Sequence, residues 1–548
     1  MLKNASRKFE RPQNMMNPPA IPTNRAARRS MARTASVLGG AGVLAAGSAA
    51  AVLTALAGTA AASATLTVDS SADGIATAAN CTDVTPGNCT LRDAALAALD
   101  GDIITFDAAV TSITLTEGTV NTRAVSLIGP GSSALTITTA GAAGDYNLFR
   151  VGGIGDVVIS GMTLTKNRTK TANDGKFTLD DVAITGSTGQ YGGALYAGND
   201  GELEIKNSSF EDNYATDNGG AIYIYSDNNT TISNSDFLNN ETANEGGAIY
   251  ASYASNVSLI DSEVSGNTAA GRGGGIRFDM YDFDEVNIIG CTIDSNVSGE
   301  YGGAIDFGEY LTVVVSNTTV SNNSANGGAG LNFDDVYIDA TINNSTITAN
   351  TSSNGGGGVY INAGSALTVN QSTISANIAQ GTASQSYGGG GISIGGAPIG
   401  NDPAVVTLSG TIVSGNTSAL AGLADISLYN SDPTATGSFT ATNSLIGEVD
   451  PRVTSNGTNN VTSTNPMLGA LADNGGATKT MALLTGSPAI DAGPSPVAAF
   501  DGNEFDQRGT GFVRIFGTLV DIGAYEVQLA VEPTTTASDQ PVAPAFTG

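Results

Sequence analysis

The chain has no histidine and no tryptophan, and aromatic residues make up only 6% of its 548 residues. Histidine is the commonest general base and metal ligand, so its absence excludes a Ser-His-Asp hydrolase and most zinc sites. So few large aromatics make a poor basis for an ordinary enzyme core. Positive charge is also scarce, with 22 Lys and Arg against 51 Asp and Glu. Such a surface repels nucleic acid and anionic lipid, and neither is an expected partner. No segment of the repeated region has the length and spacing of a helix. What abounds is glycine, at 71 residues.

Residues 1–64 read as a targeting segment. A basic stretch ends in Arg25, Arg28, Arg29 and Arg33, and an uncharged run follows from Val37 to Ala61. Ala62-Ser63-Ala64 then forms a small-x-small cleavage pattern before Thr65. Arg28-Arg29 fits a twin-arginine signal. The run is also long enough to anchor in a bilayer, but its Ala/Gly content and its cleavage pattern favour removal. Cleavage would leave no membrane span, 14 basic against 50 acidic residues, and a net charge of −36. The expected location is secreted or cell-surface. Export implies an oxidising compartment, so Cys81 and Cys89 are expected to pair.

The rest of the chain repeats itself. An apolar residue after a Gly pair recurs at Leu195, Ile222, Ile249, Ile276, Ile305, Leu331, Val359 and Ile392, in steps of 27, 27, 27, 29, 26, 28 and 33 residues. An apolar-x-x-Asn motif keeps the same period from Phe210/Asn213 to Val413/Asn416. Apolar pairs such as Leu203/Ile205 and Val257/Leu259 form a third column. Each repeat therefore holds three short alternating segments separated by Gly, Asn or Asp turns. Segments this short cannot bury a face alone, but stacked in parallel, coil on coil, they can. The expected fold is an all-β solenoid, a parallel β-helix with three short strands per coil.

Within it the Gly pair marks a corner, and the Asn of apolar-x-x-Asn is placed for an internal amide ladder. Cys291 stands in a column otherwise filled by Ser208, Ser235, Ser262, Thr318, Ser345 and Ser372, which predicts a buried structural thiol. Thr90-Leu91-Arg92-Asp93 has a capping-box shape and predicts a short helix, reaching to Leu99, over the first coil. Expected boundaries are 1–64 for the targeting segment, 65–165 for the cap and first coils, and 166–447 for the repeats. A terminal unit follows over 448–530, then a disordered tail over 531–548. Residues 168–190 and 378–391 are expected as side loops.

Gly246-Gly247-Ala248-Ile249 and Phe210 to Asn213 resemble the repeats of chlamydial polymorphic outer-membrane proteins. The stretch from Cys89 to Ala94 is similar to the CSLREAI motif of bacterial surface proteins. Leu471 to Gly476, Gly486 to Gly493, Asp506 to Gly509 and Asp521 to Glu526 resemble the choice-of-anchor Q region. The resemblance implies a right-handed parallel β-helix displayed at a bacterial surface, with an adhesive role and no catalytic residues.

Two functional readings follow. In the first, the residue after each apolar marker points outward. Tyr196, Tyr223 and Tyr250 then form an exposed aromatic ladder that would bind a glycan or a cell-surface protein, although tyrosine also favours strands for its own sake. In the second, the chain is a polysaccharide lyase or glycoside hydrolase. Stacking would bring Asp279, Asp282, Asp284, Glu285, Asp306, Glu309, Asp334 and Asp335 to one flank beside Arg277, with Asp306, Glu309, Asp279 and Arg277 as the catalytic set. Such carboxylates would serve as acid and base or as ligands of Ca2+, the one cofactor the sequence suggests. Read plainly, they are a solvated acidic face. The structural or adhesive reading is preferred, because the repeats from Gly192 to Asn416 offer only Lys206, Arg272 and Arg277 as bases.

Overall fold

Four short strands make each coil from Leu203 to Tyr429, as in Leu203–Lys206, Ser209–Glu211, Tyr214–Ala215 and Ile222–Tyr225. These and all later coordinates come from a computed structural model. It describes residues 63–528 except 82–86, 142–146, 154, 199–200, 226–228, 255, 281–283, 335–336, 383–387, 397–402, 431–435 and 518. The expected targeting segment (but for Ser63 and Ala64) and the expected tail from 531 lie outside the described residues. Each strand pairs in parallel with its copy in the next coil, with Leu203 opposite Thr230, Phe210 opposite Phe237, Ala215 opposite Thr242 and Ile222 opposite Ile249. Three of the four runs join one 35-stranded sheet, and the fourth builds a separate 12-stranded sheet.

The sequence predicts three strands per coil. The additional one is the two-residue run after the ladder asparagine, too short to show alternation. Residues 168–190 are a full coil, not a side loop. Thr169–Asn173 and Phe177–Gly189 pair with neighbours on both sides. Thr169 hides the coil, because it occupies the buried column where later coils carry Leu or Ile and no Gly pair precedes it. In the 378–391 stretch, Ile378–Ala379 keeps its register with Thr351–Ser352.

The corners explain the glycines. The first of each pair, from Gly192 to Gly389, holds a φ between 55° and 80°, which side chains rarely adopt. A Cβ on the second, Gly247, would collide with the carbonyl oxygen of Gly274 one coil away. At another corner the asparagines form the expected ladder. Asn213, Asn240, Asn267, Asn296, Asn323, Asn350 and Asn377 each donate Nδ2 to the next Oδ1 at 2.8–2.9 Å. The ladder ends on Asp425, whose Oδ1 accepts from Asn416 Nδ2 at 2.8 Å. A carboxylate only accepts, so it closes the series without needing a further partner. Between corners, stacked rings fill the interior, with Phe210 and Phe237 centroids 4.8 Å apart. Cys291 is buried, its Sγ 3.3 Å from the Ile289 carbonyl oxygen.

The cap helix spans Leu91–Ala97, with Thr90 and Asp93 making both halves of the capping box. Cys81 and Cys89 beside it are joined as a disulfide. At the other end stacking continues past Glu448, through Val453–Thr458 and Val461–Thr462. The chain then runs back along the outside of earlier coils. Gln507 accepts from Thr346 Oγ1 at 2.6 Å and donates to Thr319 Oγ1 at 2.9 Å. Gly523 N–H bonds to the Gly410 carbonyl at 2.8 Å, and Ala524 N–H to Thr373 Oγ1 at 3.1 Å. Arg508 pairs with Asp506 and lies between the rings of Phe512 and Tyr525, 4.0 and 3.9 Å from their centroids. The terminal words thus form a strap over one flank of the solenoid. Among the described residues no helix is long and apolar enough to cross a membrane.

Candidate functional site

One register position of the twelve-stranded sheet carries Asn121, Arg150, Lys170, Tyr196, Tyr223, Tyr250, Arg277, Asp306, Asn332, Tyr360, Ser393 and Ser427 on successive coils. Their strand neighbours point into the core, so this row faces outward.

Tyr196, Tyr223 and Tyr250 do stack, with centroids 5.5 and 5.3 Å apart and planes within 16° and 4°. The expected exposed ladder needs correction, because Tyr223 is only 9% exposed and Tyr250 only 6%. Each Gly corner folds against the row, as where a Cβ on Gly246 would lie 2.9 Å from the Cβ of Tyr250. The rings also cover one another's faces, which removes the surface on which a sugar ring would stack.

The exposed rings lie on the adjoining rim. Tyr225, Tyr253 and Tyr337 are 43%, 54% and 57% exposed. Tyr225 stacks on Tyr223 at 6.1 Å and meets Tyr253 edge-on at 5.6 Å, and Tyr310 stacks on Tyr337 at 5.1 Å. Tyr253, Tyr310 and Tyr337 hold φ of 57°, 59° and 61°. The left-handed conformation costs a bulky residue about 1–2 kcal/mol, and strain of this kind concentrates at functional sites. Sequence reasoning missed these residues because their offset from the apolar marker drifts along the repeats. Tyrosine recurring once per coil just past the strand was the available signal.

The acidic flank is a closed set of ion pairs. Arg277 contacts the fully buried Asp306, which also accepts from Asn332, and lies 3.3 Å from Asp279. Tyr250 donates to Asp279 at 2.8 Å, and Arg272 lies 3.2 Å from Asp334. Burial pushes the Asp306 carboxyl up to about 6, against the pull of Arg277 and Asn332. Burial would lower Arg277, but Asp306, Asp279 and Glu245 more than reverse this and hold it charged. Of the four residues expected to act together, Arg277, Asp279 and Asp306 meet. Glu309 makes no hydrogen bond or ion pair with them among the described residues. Asp282 and Asp335 lie outside the described residues. No group of three or more Asp, Glu or Cys converges to hold a metal ion among the described residues.

At the other end of the row, Arg150 is exposed and Lys170 half-buried. Lys170 Nζ stands 4.6 Å, and Arg168 Cζ 5.9 Å, from the Tyr196 ring centroid. These cations precede the Gly-pair repeats, where the sequence reading counted its bases.

A family model described as a right handed beta helix region matches residues 169–332. No curated protein matches the sequence. Among solved structures, a mutant of the periplasmic alginate epimerase AlgG is similar at 9% identity and a TM-score of 0.38, over 64% of this chain and 77% of that one. A PL6 alginate lyase in complex with a trisaccharide is similar at 11% and 0.37, over 78% and 92%. The A-module of the Azotobacter vinelandii mannuronan C-5 epimerase AlgE6 is similar at 11% and 0.33, over 65% and 91%. Family model and strand register agree: the chain folds as a right-handed parallel β-helix.

Proposed function

We propose that this chain is an exported β-helix that works at or outside the cell surface as a saccharide-binding module. The carrying observation is the rim of exposed tyrosines, Tyr225, Tyr253 and Tyr337, the last two held in the left-handed conformation, beside an outward polar row. Exposed aromatic rings with a polar tip suit an amphipathic sugar chain. Export is supported by the targeting pattern in residues 1–64, by the Cys81–Cys89 disulfide, and by the likeness of the repeat and terminal words to bacterial surface proteins. The catalytic alternative would need an acid–base pair open to substrate, whereas Asp306 is fully buried against Arg277 and Asn332.

The test is a glycan array with the chain from Thr65, followed by titration of the best ligand. Tyr225→Ser with Tyr253→Ser should weaken binding by roughly tenfold or more, with the fold intact by circular dichroism. Tyr337→Gly should weaken binding yet raise the melting temperature, since glycine relieves the left-handed strain. Asp306→Asn should leave binding in place. Undiminished binding by the rim variants would end this reading, and turnover of the ligand that Asp306→Asn abolishes would establish the enzyme.

A further inference from the structure

Five of the 14 basic residues beyond residue 64 fall between Arg123 and Lys170. Three of them gather at one end of the tyrosine row. Arg150 and Lys170 are register neighbours on adjacent coils, and Lys170 is in turn the neighbour of Tyr196. Arg168 is held in place by donating Nε to Asn147 at 2.8 Å and Nη1 to the Tyr191 carbonyl at 2.8 Å. Gly189 makes room for it, since a Cβ there would lie 2.8 Å from Arg168 Cδ.

None of these three cations pairs with a carboxylate among the described residues. Seven of the other eleven, Arg92, Lys176, Lys206, Arg272, Arg277, Arg452 and Arg508, do. In a chain with a large excess of acid, carboxylates to neutralise the trio were plentiful, and the fold brings none among the described residues. Partial burial, then the charges of Arg168 and Arg150, lower the Lys170 ammonium from its ordinary value. Like charges held close together disfavour one another, and a bound anion relieves them. Tyr196 joins the trio to the stack that reaches Tyr225 on the rim.

We propose that Arg150, Arg168 and Lys170 form an anion subsite for the carboxylate or sulfate of an acidic saccharide lying along the tyrosine rim. This rests on the saccharide-binding reading and narrows it to a polyanionic chain.

Calorimetry on the chain from Thr65 tests it with uronate and sulfated tetrasaccharides, their neutral counterparts, and inorganic sulfate. An acidic tetrasaccharide should bind roughly tenfold tighter than its neutral counterpart, and more weakly as salt rises. Lys170→Gln and Arg150→Gln should each remove most of that preference, and Lys170→Arg should keep it. Lys206→Gln, on a lysine already paired with Asp180 and Glu204, should change nothing. Uronate against sulfated ligands identifies the anionic group. Equal affinity for acidic and neutral chains would overturn the subsite and leave saccharide binding standing. Binding of no tetrasaccharide would overturn both. Inorganic sulfate binding as tightly as the oligosaccharides would make this a free-anion site and overturn the proposal as stated.

Discussion

Replacing Asn267 with leucine tests the amide ladder. Its Nδ2 donates to the Phe237 carbonyl and to Asn296 Oδ1, both at 2.9 Å. Its Oδ1 accepts the Asn240 backbone N–H at 2.8 Å and Asn240 Nδ2 at 2.9 Å. Asn267→Leu removes all four bonds. The Asn240 N–H, the Asn240 side-chain amide and the Phe237 carbonyl each lose a buried partner, at about 1–3 kcal/mol apiece. Leucine's own burial returns about 2 kcal/mol, so the net loss is about 4 kcal/mol. Asn234 is an exposed corner residue with φ 46°. There leucine meets only left-handed strain, about 1 kcal/mol. Urea denaturation followed by circular dichroism compares the two variants at equal slope. Hydrogen exchange shows whether the coils around Asn240 and Asn267 open first, as nearest-neighbour stacking requires. Equal midpoints for Asn267→Leu and Asn234→Leu would refute the ladder as a source of stability.

Gly247→Ala should prevent or severely weaken folding, because its Cβ meets the Gly274 carbonyl, whereas Gly74→Ala has open space and should be neutral by melting temperature. Ala349 holds φ 56° without the licence of glycine, so Ala349→Gly should stabilise by up to ~1 kcal/mol in thermal melts. Burial pushes the Cys291 thiol up to about 12, so mass spectrometry should find it unmodified by iodoacetamide in the native state and alkylated after unfolding. Burial also pushes Glu526 up to about 7 from an ordinary 4.5, although the Asp521 and Phe516 N–H groups pull the other way. The folded chain then keeps a proton that the unfolded chain releases, so stability should fall as pH rises from about 4.5 to about 7. Denaturation midpoints across that window should lose this contribution in Glu526→Gln.

Much of the solenoid was legible because its constraints repeat at fixed spacing. Phe210/Asn213 and its copies mark a corner in every coil, and the Ser column places Cys291 inside before any coordinate is known. Legibility failed where a coil departs from the pattern. Thr169 replaces the apolar marker, and Tyr225, Tyr253, Tyr310 and Tyr337 drift in offset because loops after the strand vary in length without disturbing the register. Tyr196, Tyr223 and Tyr250 stack on successive coils as the period implies. The burial of Tyr223 and Tyr250 was not foreseen, since period-two alternation says which way a side chain points but not what folds over it.

The sequence by itself determined the coil: its period, its inward columns, its glycine corners, its capping box and its asparagine ladder. Apart from the capping box, which Thr90 and Asp93 close within one turn, each of these joins a residue to its counterpart one period away, so repetition alone reveals it. Only the tertiary structure decided that the terminal unit straps back over earlier coils, where Gln507 reaches Thr346 across 161 residues. Only it buried the Arg277–Asp306 pair, which the coil period had already set side by side, and left Arg150, Arg168 and Lys170 together without a carboxylate partner among the described residues. These contacts depend on which surfaces the loops and the strap cover, and no repeating interval in the chain encodes that.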